Sequence, residues 1–212
     1  MGPIPTFGSS LYFVLISSSA ILIPMIIIGI TGTLGSGKGE IASILKTKGF
    51  IHFSVRDFLI LELKRRNIGV NRDTMTSLAN ELRKTHSPQY IIEQLCNQAV
   101  AEGKNAAIES VRTPGEIDFL KSQTGGEFYL VAVDADQKVR YERIVGRKSD
   151  LDKVSFEKFV SDEQREMISS DPTKQNISEC MCRADVVIRN DGNLDELAHQ
   201  VEEFLHQKNK SL

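Results

Sequence analysis

From position 25 onward the chain alternates short runs of β-branched and aliphatic residues with longer stretches whose apolar positions recur every three or four residues. The short runs fit strands buried on both faces, and the longer stretches fit amphipathic helices laid against them. Strands are predicted at 25–31, 51–54, 105–110, 127–133 and 184–188. Helices are predicted at 38–47, 56–66, 73–85, 88–102, 114–121, 136–146, 155–168 and 193–207. Such alternation implies βα units, with helices on both faces of a parallel sheet. Pro88 and Pro114 suit first-turn positions, with Ser87 and Thr113 before them as caps. Ser169 to Ser178, which contains Asp171-Pro172, reads as a loop.

One join between strand and helix carries chemistry. Gly32-Thr33-Leu34-Gly35-Ser36-Gly37-Lys38 follows an isoleucine-rich strand and opens a helix, the context that a G-x-x-x-x-G-K phosphate loop requires. Glycines let successive N–H groups turn inward around phosphates, and the helix adds the positive end of its dipole. Lys38 then brings a cation to the β- and γ-phosphate oxygens. Gly32, Thr33, Gly35, Ser36, Gly37, Lys38, Gly39 and Glu40 are therefore the expected ATP-binding residues. The usual pattern continues with Ser or Thr as a magnesium ligand, whereas here Gly39 and Glu40 follow. This Gly-Lys-Gly resembles the adenylate-kinase version of the loop, in which Thr ordinarily comes next.

Transfer of a phosphoryl group is mostly positioning and charge neutralisation, so arginines should converge on the same place. At the end of the third predicted strand stands Ile108-Glu109-Ser110-Val111-Arg112-Thr113-Pro114-Gly115-Glu116, and ligands of open α/β sheets bind at such strand ends. The segment resembles the Asp-x-x-Arg-x-x-x-Glu run of phage-type deoxynucleoside monophosphate kinases and related archaeal adenylate-kinase-like proteins. That resemblance implies that Arg112 grips the acceptor and Glu109 helps place magnesium, with Glu in place of the usual Asp. In nucleoside monophosphate kinases a pair of helices near Ser54-Val55-Arg56-Asp57-Phe58 and Asn71-Arg72-Asp73 closes over the acceptor, which makes Arg56, Asp57 and Arg72 candidate contacts. Arg140, Arg143 and Arg147 follow Asp134-Ala135-Asp136 at i, i+3 and i+7 on one helical face and suggest a charged lid. The resemblance matches Arg147, followed by Lys148-Ser149-Asp150, to the lid arginine that presses on the transferred phosphate, and it leaves Arg143 as a further substrate contact. Ala184 to Gly192 resembles the last strand and turn of dephospho-coenzyme A kinases, where the turn packs beside adenine. Asn190 to Gly192 are then expected to supply backbone contacts to the base of ATP, with Asn190 as the ATP-binding residue of the turn.

The segment ahead of residue 25 does not share this pattern. Residues 1–37 contain no charged side chain, and Leu11 to Ile30 is apolar apart from Ser17, Ser18, Ser19, Pro24 and Gly29. A spanning helix needs about 20 apolar residues. Met25 to Ile30 belongs to the first strand, and Leu11 to Ile23 is then too short. A secretory signal opens with positive charge, which the first ten residues lack. Met25 stands where many P-loop proteins begin, so residues 1–24 are expected to be an extension outside the fold, from a misplaced start codon or a dispensable leader. A short membrane-associating helix is the other reading of the same residues.

Bulk composition narrows the partners. With 212 residues, 41% hydrophobic and 25% charged, the chain has the size of one domain, here 25–212, with a sizeable core. A formal net charge of −2 excludes the basic balance of a nucleic-acid binder. Cys96, Cys180 and Cys182 lack zinc-site spacing and read as reduced thiols of a cytoplasmic protein. The histidines, His52 among them, read as packing or surface residues.

These readings converge on a three-layer α/β P-loop NTPase fold with a five-stranded parallel sheet and a small helical lid. The expected activity is ATP- and magnesium-dependent phosphorylation of a nucleoside or deoxynucleoside monophosphate, with Lys38, Arg112 and Arg147 holding phosphates. A dephospho-coenzyme A kinase is the alternative, disfavoured by Gly39. An ATP-binding regulator without metabolite kinase activity is the alternative of another class.

Overall fold

The computed structural model describes residues 25–123, 127–147 and 154–209. The expected extension at 1–24 and the Lys148-Ser149-Asp150 run lie outside them.

Five strands form one sheet: β1 (Ile27–Gly32), β2 (Ile51–Ser54), β3 (Ala106–Glu109), β4 (Phe128–Asp134) and β5 (Val186–Arg189). Their order is β2-β3-β1-β4-β5, and every pairing is parallel. β1 is thus flanked by β3 and β4. The connections leaving it to either side open a crevice at the carboxyl ends, where open α/β sheets take their ligands.

Side chains alternate across the sheet. Ile27, Ala106, Ile108, Phe128 and Leu130 face one way, against α2 (Val55–Arg65), α3 (Arg72–Thr85), α4 (Tyr90–Glu102) and α5 (Pro114–Gln123). Ile28, Ile30, Ala107, Val131, Val133 and Ile188 face the other way, against α1 (Lys38–Thr47) and α9 (Leu194–Asn209). Ile27, Ile28 and Ile30 are fully buried, each worth about 2 kcal/mol in removal from water. Double-sided burial explains why β1 reads as an apolar run rather than an alternation.

α6 (Gln137–Gly146) and α7 (Phe156–Met167) complete the lid side. Tyr141 meets Phe156 edge-on at 5.1 Å and Phe159 at 5.6 Å, a small aromatic cluster apart from both sheet cores.

Two local expectations change. Ile177–Cys182 forms a short helix, α8, inside and beyond the expected loop, with the Asn176 side chain accepting from the Glu179 N–H. Six residues are too few for a helical period to show in the sequence. Ser87 does not cap α4: that helix begins at Tyr90, and Pro88 lies in the turn before it. Thr113 does cap its helix, its Oγ1 accepting from the Glu116 N–H at 3.2 Å.

Candidate functional site

The phosphate loop leaves β1 against β4. A Cβ on Gly32, where φ is +138°, would sit 2.0 Å from the Val133 carbonyl oxygen, so no other residue fits. The loop is tied from three directions. Thr33 Oγ1 donates to Asp134 Oδ1 at 2.6 Å, Arg140 Nη1 donates to the Leu34 carbonyl at 3.0 Å, and Asn190 Nδ2 donates to the Ser36 carbonyl at 2.8 Å. Gly37 then caps α1 at φ +101° with no side chain closing the helix end. A Cβ there would strike Asn190 Nδ2 at 2.2 Å. This is the geometry of a preformed anion cradle: a rigid loop, an open helix N-terminus and its dipole.

Lys38 is buried and bends back over the loop, its Nζ donating to the carbonyls of Gly32 at 2.9 Å and Thr33 at 2.7 Å. Burial, and after it the charge of Arg112, push its ammonium down to about 7, against the pull of Glu109 and Glu166. A lysine held this way gains a full partner when phosphate oxygens arrive.

Glu109 ends β3 beside it. Burial alone would raise its carboxyl, but the hydrogen bond from His52 and the charges of Lys38, His52 and Arg112 bring it below the ordinary range. His52 Nε2 lies 2.9 Å from Glu109 Oε2, a pairing across β2 and β3 in place of the packing role expected from sequence. Glu109 Oε1 is 3.9 Å from where a Cβ on Gly39 would stand. The carboxylate therefore reaches the place where a Ser or Thr after the lysine would point, and the donor set fits a magnesium ion held by Glu109 and phosphate oxygens.

The chain next turns sharply through Ser110, which adopts φ +76°, unusual for a residue with a side chain. Arg112 follows, its Nη1 donating to Glu166 Oε2 at 2.5 Å and to Gln175 Oε1. Glu116 fixes this turn from beneath: its Oε2 accepts from the N–H groups of Arg112 at 2.7 Å and Thr113 at 3.1 Å, and its Oε1 from Arg83 Nε and Nη2. Arg83 and Glu116 are 1% and 0% exposed. Removing either partner of such a pair costs roughly 3–5 kcal/mol because the other charge is stranded.

A cavity runs from the phosphate loop to the inner faces of α2 and α3. Lys38, Arg56, Arg72, Arg83, Arg112 and Arg147 line it, against two carboxylates among the described residues, Glu109 and Glu166. Its volume is about 150 Å³, below the range usual for nucleotide-sized ligands.

The residues expected from sequence divide accordingly. Arg56, Arg72, Glu109 and Arg112 come together with Lys38 around this cavity. Asp57 does not: it is exposed in the first turn of α2, where its N–H is capped by Ser54 Oγ at 3.2 Å. The three arginines of the α6 region separate. Arg140 is buried, donating to the Ala135 and Leu34 carbonyls and to Glu163, and so braces the loop. Arg143 Nη1 donates to the Asn190 carbonyl at 2.7 Å, which places it on the β5 side with Gly37, Glu40 and Gly192 rather than with Arg56, Arg72 and Arg112. Arg147 lines this cavity and also a second one on the β5 side, bordered by Gly37, Glu40, Arg143 and Gly192. Asn190 is itself buried with its amide spent on the loop, so any contact to a base there falls to neighbouring backbone. Arg83 and Glu166 join the site without any local signal in the sequence, because their roles come from tertiary contacts alone.

This sheet order, loop and cation-lined cleft define a P-loop nucleotide-binding protein of kinase-like fold. The chain belongs to the AAA domain family, whose model matches residues 28–168. Among curated relatives it is 28% identical over 180 residues to a UPF0200 protein of Pyrobaculum aerophilum, spanning 84% of this chain and 96% of that one. It is likewise 28% identical over 181 residues to a UPF0200 protein of Methanococcus maripaludis, spanning 84% and 94%. Among solved structures, TT1252 from Thermus thermophilus superposes with a TM-score of 0.57 at 20% identity, covering 86% of this chain and 97% of that one. A shikimate kinase from Bacteroides thetaiotaomicron gives 0.53 at 14% identity, covering 86% and 99%. Both likenesses concern the fold. Among the described residues no helix is long and apolar enough to cross a membrane.

Proposed function

We propose that the protein transfers the γ-phosphoryl group of ATP to a nucleoside or deoxynucleoside monophosphate. The observation that carries this reading is the second cationic cluster: Arg56, Arg72 and Arg112 stand across the cavity from the phosphate loop, where a protein that only bound ATP would have no use for them. Two phosphate-bearing ligands meeting end to end explain both clusters.

Each residue has a task in that reaction. The loop N–H groups and the α1 dipole hold the β-phosphate, Lys38 moves from the loop carbonyls to the β- and γ-oxygens, and Arg147 reaches the transferred group from the end of α6. Arg112 and its neighbours orient the acceptor phosphate in line, so that catalysis is alignment and charge neutralisation without a protein nucleophile. Magnesium bound near Glu109 would offset charge on the ATP oxygens.

The test is ADP formation from ATP and magnesium by the full chain, against a panel of nucleoside monophosphates, deoxynucleoside monophosphates and dephospho-coenzyme A. Stimulation by one monophosphate class supports the proposal and names the acceptor. ATP binding without stimulation by any of them overturns it in favour of an ATP-binding regulator.

A further inference from the structure

Arg83 of α3 is the most deeply buried cation among the described residues, at 1% exposure, and it lines the cavity. Two of its three nitrogens are accounted for: Nε and Nη2 both donate to Glu116 Oε1, at 3.1 and 3.0 Å. The third, Nη1, is buried with no hydrogen-bond partner. Glu116 has nothing left to offer it, because its other oxygen already accepts the N–H groups of Arg112 and Thr113.

A guanidinium nitrogen buried without an acceptor is costly, since its water has been removed and nothing returned. A ligand oxygen is one group that would complete it. Around it the cavity wall carries Arg56 and Arg72 from α2 and α3 and Arg112 from the strand-end turn. Glu116 couples two of these arginines directly, holding the Arg83 side chain through one oxygen and the Arg112 backbone through the other. Arg83 and Arg112 are thus set in fixed relation by one buried carboxylate.

We infer that Arg83 Nη1 is a donor to the terminal anionic group of the acceptor, and that Arg83, Glu116 and Arg112 form a preset recess for a phosphomonoester. This rests on the acceptor reading above and deepens it: the recess selects the acceptor's phosphate rather than its base or sugar. A dianionic phosphate supplies enough oxygens to take Arg83 Nη1 and Arg112 together, displacing Glu166 from Arg112.

The experiment uses inorganic phosphate as the probe, titrated by calorimetry into the full chain with the phosphate loop filled by a non-hydrolysable ATP analogue. Wild type is expected to bind phosphate. Arg83→Lys keeps a positive charge against Glu116 while removing the fork, and is expected to weaken phosphate at least tenfold with the affinity for the ATP analogue within twofold. The double change Arg83→Gln with Glu116→Gln replaces the buried ion pair by two amides and guards against misfolding; circular dichroism and thermal melting establish that each variant is folded. It is expected to lose phosphate binding as well. Unchanged phosphate affinity in both folded variants, or no phosphate binding by wild type, overturns the inference. Phosphate binding that depends on Arg83, in a protein whose ADP formation no monophosphate stimulates, would keep the recess and sink the kinase reading instead.

Discussion

On the α2–α3 side of the phosphate loop the wall carries Arg56, Arg72, Arg83 and Arg112 from several elements, with Arg83 paired to the buried Glu116 and Arg112 to the buried Glu166. On the β5 side four glycines, Asn190, Asn193, Leu194 and Leu197 share the wall with Glu40, Arg143 and Arg147, and Arg143 is spent on the Asn190 carbonyl and Asn190 on the Ser36 carbonyl. Under the proposed reaction, the difference divides the labour between the two ligands. Concentrated charge suits a ligand whose recognisable part is a phosphate, whereas a wall rich in glycine and leucine suits a flat, uncharged base. Arg147, which borders both cavities, is placed where the two ligands would meet.

The largest effect should come from the part that both sides share. Replacing Lys38 by alanine is expected to lower kcat about 10³-fold, as loss of one preorganised charge donor does, with steady-state kinetics as the readout. Next comes the brace beneath the loop. Arg140→Ala would strand Glu163, which is 8% exposed, and should destabilise the fold by roughly 3–5 kcal/mol in urea unfolding. Retained stability in that variant would mean that the loop is held in place by its other ties.

The shared loop and the two walls also differ in how far the amino-acid sequence alone announces them. The phosphate loop is legible because its chemistry is contiguous and its strand and helix flank it directly. Glu109, Arg112 and Glu116 are legible as one run for the same reason. Arg83 is not: its partner lies 33 positions away, and a buried arginine looks like any helical arginine until the helix is placed. His52 and Glu109 are 57 positions apart and meet only because β2 pairs with β3. The arginines of the α6 region illustrate a subtler limit. Spacing i, i+3, i+7 does put them on adjacent parts of one helix, but α6 crosses the loop, so Arg140 reaches under it, Arg143 towards β5 and Arg147 into the cleft.

A smaller effect follows from the Lys38 ammonium at about 7. Below that pH the free protein already carries the charge that ATP needs; above it, Lys38 is mostly neutral, and the arriving phosphates must raise its affinity for a proton again. ATP binding at pH 8 should therefore take up close to one proton, measured by calorimetry in buffers of different ionisation enthalpy. Affinity should fall by about tenfold at most for each pH unit above 7. Absence of proton uptake would contradict a change in Lys38 protonation on ATP binding.

The smallest effect concerns Glu166, whose Oε2 accepts from Arg112 Nη1 at 2.5 Å and so, under the proposed reaction, would compete with an acceptor phosphate. Glu166→Gln should lower the KM for the acceptor about threefold and leave the KM for ATP alone. A rise in the acceptor KM would instead make Glu166 an acceptor contact.

The division between the two walls is tested most directly by crossing two single variants against two ligands. Arg112→Ala should raise the acceptor KM about 100-fold with the KM for ATP within twofold, and Arg143→Ala should raise the KM for ATP about tenfold with the acceptor KM within twofold. Equal losses of both ligands in either variant would contradict the assignment of acceptor to the α2–α3 wall and ATP base to the β5 wall.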